Sequence, residues 1–236
     1  MVRWGMVIDL DKCTACQACI VACRIENNVP VAGEEALQRG RSIFWNQFFS
    51  ELEGEYPDVR LRMFPRPCMH CEQPPCVDVC PVEATYKDAE GRVLVRYDKC
   101  IGCRYCMVAC PYGARYFNWL PAVYPGAQRA HVSPDIVRDA DGWLVGPSPR
   151  PSGVVEKCTF CIQRLEKAKQ DDLPIGSEKP GGVVSACAET CPAFAISFGD
   201  LDDPESEVHR LSRDKRASRL LEELGTAPQV YYLLEG

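Results

Sequence analysis

CIGCRYCMVACP, residues 100–111, holds four cysteines in eleven residues, with a proline directly after the last. The spacing is C-x2-C-x2-C-x3-C-P. Outward from this stretch the chain repeats the pattern with variations. Cys13, Cys16, Cys19 and Cys23 keep the spacing, but Arg24 stands where the proline would be. Cys68, Cys71, Cys76, Cys80 and Pro81 widen the middle gap to four residues. The last group is split: Cys158 and Cys161, a 25-residue insertion, then Cys187, Cys191 and Pro192. All sixteen cysteines of the 236-residue chain belong to these groups.

Thiolates in such number serve disulfides or metals. A disulfide framework fits short secreted chains, and C-x2-C neighbours in one helical turn bridge each other poorly. Among metals, thiolates select zinc, copper(I) and iron–sulfur clusters. Structural zinc uses two C-x2-C pairs across a longer loop. The run at 100–111 instead matches bacterial ferredoxin spacing at every position, where the fourth cysteine serves the other of two clusters. Three cysteines wrap three corners of one cube. The fourth is expected to open a helix, with the proline in its first turn.

Because such motifs cooperate in pairs, four of them make two units. Sequential pairing joins the first group to the second and the third to the fourth. Nested pairing joins the second to the third and the first to the fourth. Only 19 residues separate Cys80 from Cys100, against 44 between Cys23 and Cys68, which favours nesting and leaves both open.

The expected fold is α+β, with two bacterial-ferredoxin-like units. The first is discontinuous, residues 1–30 and 150–200. The second covers 58–118. An insertion fills 31–57, a Pro/Gly-rich loop fills 119–149, and residues 201–236 form a C-terminal helix and docking tail. Residues 7–10, 42–49, 59–64 and 92–96 read as strand-like, and 84–95 as a hairpin about a DAEG turn. Residues 204–225 read as a charged amphipathic helix before the apolar tail APQVYYLL. Much of the folding energy is expected from the metal sites.

A net charge of −6 argues against a nucleic-acid partner. No apolar run reaches the length of a membrane span, and the first residues lack the pattern of an export leader. No G-x-G-x-x-G stands between a strand and a helix, so no nicotinamide or flavin site is expected. His70, between Cys68 and Cys71, reads as a surface or packing residue rather than a ligand. Lys12, Lys99, Arg104 and Lys157 flank the cysteines, either offsetting cluster charge or standing as solvated cations.

WGMVIDLDKCTACQACIVACRIENNVP, CMHCEQPPCVDVCPVEATYK, EGRVLVRYDKCIGCRYCMVACPYGARYFNW and KCTFCIQRL with CAETCPA resemble the four-cluster electron-transfer subunit of the dimethyl sulfoxide reductase family. The resemblance spans nearly the whole chain and extends to the polysulfide, tetrathionate and sulfite-oxidising members. It implies nested pairing. Cluster 1 would then use Cys13, Cys16, Cys19 and Cys191. Cluster 2 would use Cys158, Cys161, Cys187 and Cys23. Cluster 3 would use Cys68, Cys71, Cys76 and Cys110, and cluster 4 Cys100, Cys103, Cys106 and Cys80. Some relatives lack the cysteine equivalent to Cys103 and hold a three-iron cluster; its presence implies four [4Fe-4S] clusters. The resemblance also implies a non-catalytic role between a molybdopterin-containing catalytic subunit, facing cluster 1, and a multi-helix membrane anchor with a quinone site, facing cluster 4. The expected location is a peripheral membrane complex, either on the cytoplasmic face or exported folded with a twin-arginine-bearing partner. Competing readings are the iron–sulfur subunit of a formate dehydrogenase or hydrogenase, and a stand-alone polyferredoxin.

Overall fold

The computed structural model describes residues 2–124, 126, 132–147 and 150–234. Strand β1 (Trp4–Asp9) leads into the first cysteine loop and helix α1 (Ala18–Glu26) leads out of it. Helix α2 (Glu34–Gln38) precedes a long hairpin of β2 (Gln47–Glu53) and β3 (Arg60–Arg66). Helix α3 (Pro75–Asp78) carries Cys76, and β4 (Thr85–Lys87) pairs with β5 (Val93–Val95) as the DAEG turn anticipates. Helix α4 (Tyr105–Val108) carries Cys106. Strand β6 (Tyr116–Phe117) pairs with β9 (Val155–Glu156) across the hairpin of β7 (Ile136–Arg138) and β8 (Leu144–Pro147). Then come α5 (Ile162–Gln170), α6 (Ala186–Glu189), β10 (Ile196–Asp200), α7 (Glu207–Leu211), β11 (Ala217–Ser218) and β12 (Val230–Leu233).

The main sheet runs β10-β1-β12-β11. β1 is antiparallel to β10 and parallel to β12. Its side chains are buried throughout, as a central strand covered on both faces requires. Trp4 stacks on Phe198, Phe198 meets Phe160 edge to face, and Tyr232 meets Phe64 in the same way. These rings pack with the sulfurs of Cys19, Cys68, Cys71, Cys158 and Cys187 in one core.

Four expectations are corrected. The helix expected over 204–225 is helical only at Glu207–Leu211, with a short 3-10 turn at Glu222–Leu224. Val208 and Leu211 pack on Val7, Leu201 and Leu233, and the chain must then turn so that Ala217 and Ser218 can pair with β12. Sheet pairing overrides local helix propensity here. The apolar tail is a buried strand of this chain's own sheet rather than a free docking segment. The boundary at 57/58 falls inside the β2–β3 hairpin, whose register joins Gln47 to Arg66 and Glu53 to Arg60. The loop expected at 119–149 contains the β7–β8 hairpin, and residues 125, 127–131 and 148–149 lie outside the described residues.

Candidate metal centres

The leading C-x2-C pair of each of the four groups has the same backbone device. The residue just before the second cysteine has positive φ in each: Ala15 at 56°, His70 at 44°, Gly102 at 68° and Phe160 at 56°. Only one is glycine, so three side chains accept the left-handed cost of roughly 1–2 kcal/mol. The turn aims backbone N–H groups into the loop, the arrangement that holds anions. His70 N donates to Cys68 Sγ at 3.5 Å and Phe160 N to Cys158 Sγ at 3.4 Å. Further donors reach Cys80 from Thr85 N at 3.4 Å, Cys161 from Ala186 N at 3.5 Å and Cys191 from Ala195 N at 3.3 Å.

The helices lie elsewhere than the spacing suggests. Each third cysteine is on a helix: Cys19 in α1, Cys76 in α3, Cys106 in α4, Cys187 in α6. The helices α3, α4 and α6 have four residues each and end before Cys80-Pro81, Cys110-Pro111 and Cys191-Pro192. The proline therefore halts a helix rather than opening one, since it cannot donate the next intrahelical bond and disfavours helical geometry before it. Arg24 allows α1 to continue to Glu26, so Cys19 and Cys23 lie four apart on one face.

The cysteines gather in neighbourhoods that cross the sequence groups. Burial, then Cys13, Cys191 and Cys16, pushes the Cys19 thiol up to about 12. Burial, then Cys158, Cys161 and Cys187, holds Cys23 well above the usual thiol range. Burial, then Cys68, with Cys76 and Cys110 adding to it, raises Cys71 to about 12. Burial raises Cys106, Arg115 opposes it, and Cys100 and Cys80 add to the rise; Cys103 is on the same loop. The neighbourhoods also touch in series. Cys187 and Cys23 feel Cys19, and Cys158 feels Cys68. His70 and Phe160, equivalent residues of two loops, stack at 3.8 Å between the second and third neighbourhoods.

Cys23, Cys158, Cys161 and Cys187 are buried, as are Cys68, Cys71 and Cys76, whereas Cys16 and Cys103 are exposed. The donors are all thiols, several already hydrogen-bonded in the way cluster sulfurs are tuned. The donor set and its loops fit iron–sulfur cubes.

Two polar residues carry no signal in the cysteine spacing. Arg115 is buried, with Nη2 3.0 Å from Cys76 Sγ and Nη1 on Thr85 Oγ1. Burial alone would lower its pKa, yet Cys76 and Cys106 hold it raised. Asn27 points Nδ2 toward Cys161 Sγ at 3.7 Å and Cys23 Sγ at 3.8 Å. His70 is fully buried, and its Nδ1 accepts from Val93 N, so it packs and is not at the surface. Lys157 is also buried, with Nζ on the Cys158 carbonyl, which removes it from the solvated cations. Lys12 and Arg104 remain largely exposed.

Residues 59–125 match the family model described as a 4Fe-4S dicluster domain. The fold and site thus define an iron–sulfur protein with a ferredoxin-like domain, built to carry electrons. The chain is 47% identical over 98% of its length to the menaquinone reductase iron–sulfur cluster-binding subunit of Nitratidesulfovibrio vulgaris, covering 89% of that protein. It is 41% identical over 98% of its length to a selenate reductase subunit of Mesobacillus selenatarsenatis, covering 72% of it. It is 37% identical over 98% of its length to the arsenate respiratory reductase iron–sulfur subunit of a Shewanella species, covering 96% of it. The chain belongs to the iron–sulfur electron-transfer subunits of the dimethyl sulfoxide reductase family. It binds [4Fe-4S] clusters, and its role is electron transfer rather than catalysis.

Proposed function

We propose that the chain is a four-centre wire between a molybdopterin-containing catalytic subunit and a multi-helix, quinone-linked membrane anchor. Cys13, Cys16, Cys19 and Cys191 hold the first [4Fe-4S] cluster. Cys158, Cys161, Cys187 and Cys23 hold the second, Cys68, Cys71, Cys76 and Cys110 the third, and Cys100, Cys103, Cys106 and Cys80 the fourth. Bound there, the clusters take up and pass on one electron at a time. The observation that carries this reading is the linear chain of thiol neighbourhoods, buried in the middle and exposed at Cys16 and Cys103.

The two ferredoxin-like units follow from the same nesting: residues 1–30 with 150–200, and a second unit from the β2–β3 hairpin to about 118. Support comes from the pairing of β1 with β10, and of β6 with β9 between the units. The wire ends are also apolar. Near Cys16 and Cys191, Val21, Ile25 and Phe194 are exposed, Phe194 at 81%. Near Cys103, Ile101, Tyr105 and Val108 are exposed, Val108 also at 81%. Surface of that kind marks protein–protein contact. The first patch suits the catalytic subunit and the second the membrane anchor, giving a peripheral position in a membrane complex. Among the described residues no helix is long and apolar enough to cross a membrane.

The test is anaerobic affinity purification of the native protein from gently solubilised membranes, with mass spectrometry of its companions. Recovery of a molybdopterin subunit and a multi-helix membrane protein is expected. A brown monomer with neither would favour a diffusible polyferredoxin.

A further inference from the structure

Arg115 follows the third cysteine group by five residues and is only 3% exposed. Among the described residues it has no carboxylate within ion-pair distance, unlike Arg92 and Arg150, which are buried against acids. Its fork instead spans two cysteine neighbourhoods. Nη2 donates to Cys76 Sγ at 3.0 Å, and Cys106 packs with Cys76 in one buried cluster. Nη1 is fixed on Thr85 Oγ1 at 3.2 Å. Nε is buried with no partner among the described atoms. A buried, unpaired guanidinium is strongly unfavourable unless a negative group lies beside it. Four thiolates around a [4Fe-4S] core carry net negative charge, and reduction adds one more.

Resting on the four-centre reading above, the geometry points to Arg115 as a positioning residue: a counter-charge shared by the third and fourth centres, raising the reduction potential of both. In each, one electron arrives from the neighbouring centre and no bond forms or breaks. Arg115 gives up no proton and its charge is constant, so it favours the reduced, more negative state of either neighbour. Its fixed fork also opposes simultaneous full compensation of both centres, because one charge serves two. The cysteine charges that act on Arg115 most, those of Cys76, Cys106, Cys68 and Cys110, all belong to the third and fourth centres.

The experiment is an EPR-monitored redox titration of the anaerobically purified full chain or its native complex, as wild type, Arg115→Gln and Arg115→Lys. Iron and sulfide are assayed alongside. Two of the four potentials are expected to fall in Arg115→Gln while two stay, with part of the fall recovered in Arg115→Lys. Loss of iron in the Gln variant alone, with the Lys variant fully loaded, would also support a charge role. Unchanged potentials in both variants, an equal shift of all four, or loss of all iron from both would overturn it. The last result describes a structural arginine, since Lys keeps the charge. Fewer than four centres in wild type would sink the four-centre reading, while Arg115 would still be judged by which centre its replacement moves.

Discussion

Asn27 shows how a single neutral side chain tunes a thiol pair. Its amide lies 3.7 and 3.8 Å from the sulfurs of Cys161 and Cys23, and donates to the Cys23 carbonyl at 3.0 Å. Hydrogen bonds to cluster sulfurs favour the reduced state. Asn27→Leu is expected to lower one potential by about 20–60 mV, the equivalent of a bond worth roughly 0.5–1.5 kcal/mol; a redox titration with an unmoved potential would remove Asn27 from the tuning set. Gly102 is the other single-residue case. Its φ is +68°, and an added Cβ would lie 2.2 Å from the Gly153 carbonyl oxygen. Gly102→Ala should destabilise the Cys103 loop by more than about 1 kcal/mol, read as faster loss of iron to a chelator. Ala15, His70 and Phe160 show why the loop geometry was hidden: nothing in their identities announces a left-handed backbone.

The helices and strands divide sharply in how far they could be read. The cysteine runs announced the loops, and RVLVR with its DAEG turn announced the β4–β5 hairpin. The placement of the helices was not announced, because Cys-Pro is compatible with a helix beginning or ending. The chain's one natural control is Arg24, where the proline is missing and the helix continues. The C-terminal segment misled for another reason. Its charge pattern suits a helix, but the decisive interaction is the distant pairing of β12 with β1. Tyr232 on β12 is buried, and its hydroxyl donates to the Pro65 carbonyl at 2.9 Å. Tyr232→Ala is expected to cost about 3–5 kcal/mol, as large aromatic truncations do; thermal unfolding of the iron-loaded protein near the wild-type midpoint would contradict a core role for this strand.

The molecule as a whole is organised around its sulfurs: cysteines of all four sequence groups contribute to the buried clusters of side chains. Binding free energy at such sites is folding free energy. Anaerobic removal of iron is therefore expected to abolish the near-ultraviolet circular dichroism signal and most protection from protease. An iron-free chain that kept native protection would show that the apolar core suffices. A last consequence concerns the time order of synthesis. β1 is finished at Asp9, but both its neighbours come much later, β10 from Ile196 and β12 from Val230. At roughly 5–20 residues per second, the ribosome needs on the order of 10–40 s to deliver the first of them. Throughout that interval a largely apolar strand and the cysteines behind it emerge with no sheet to join. Closure of the main sheet, and the burial of β1 that depends on it, therefore waits until most of these residues have been made.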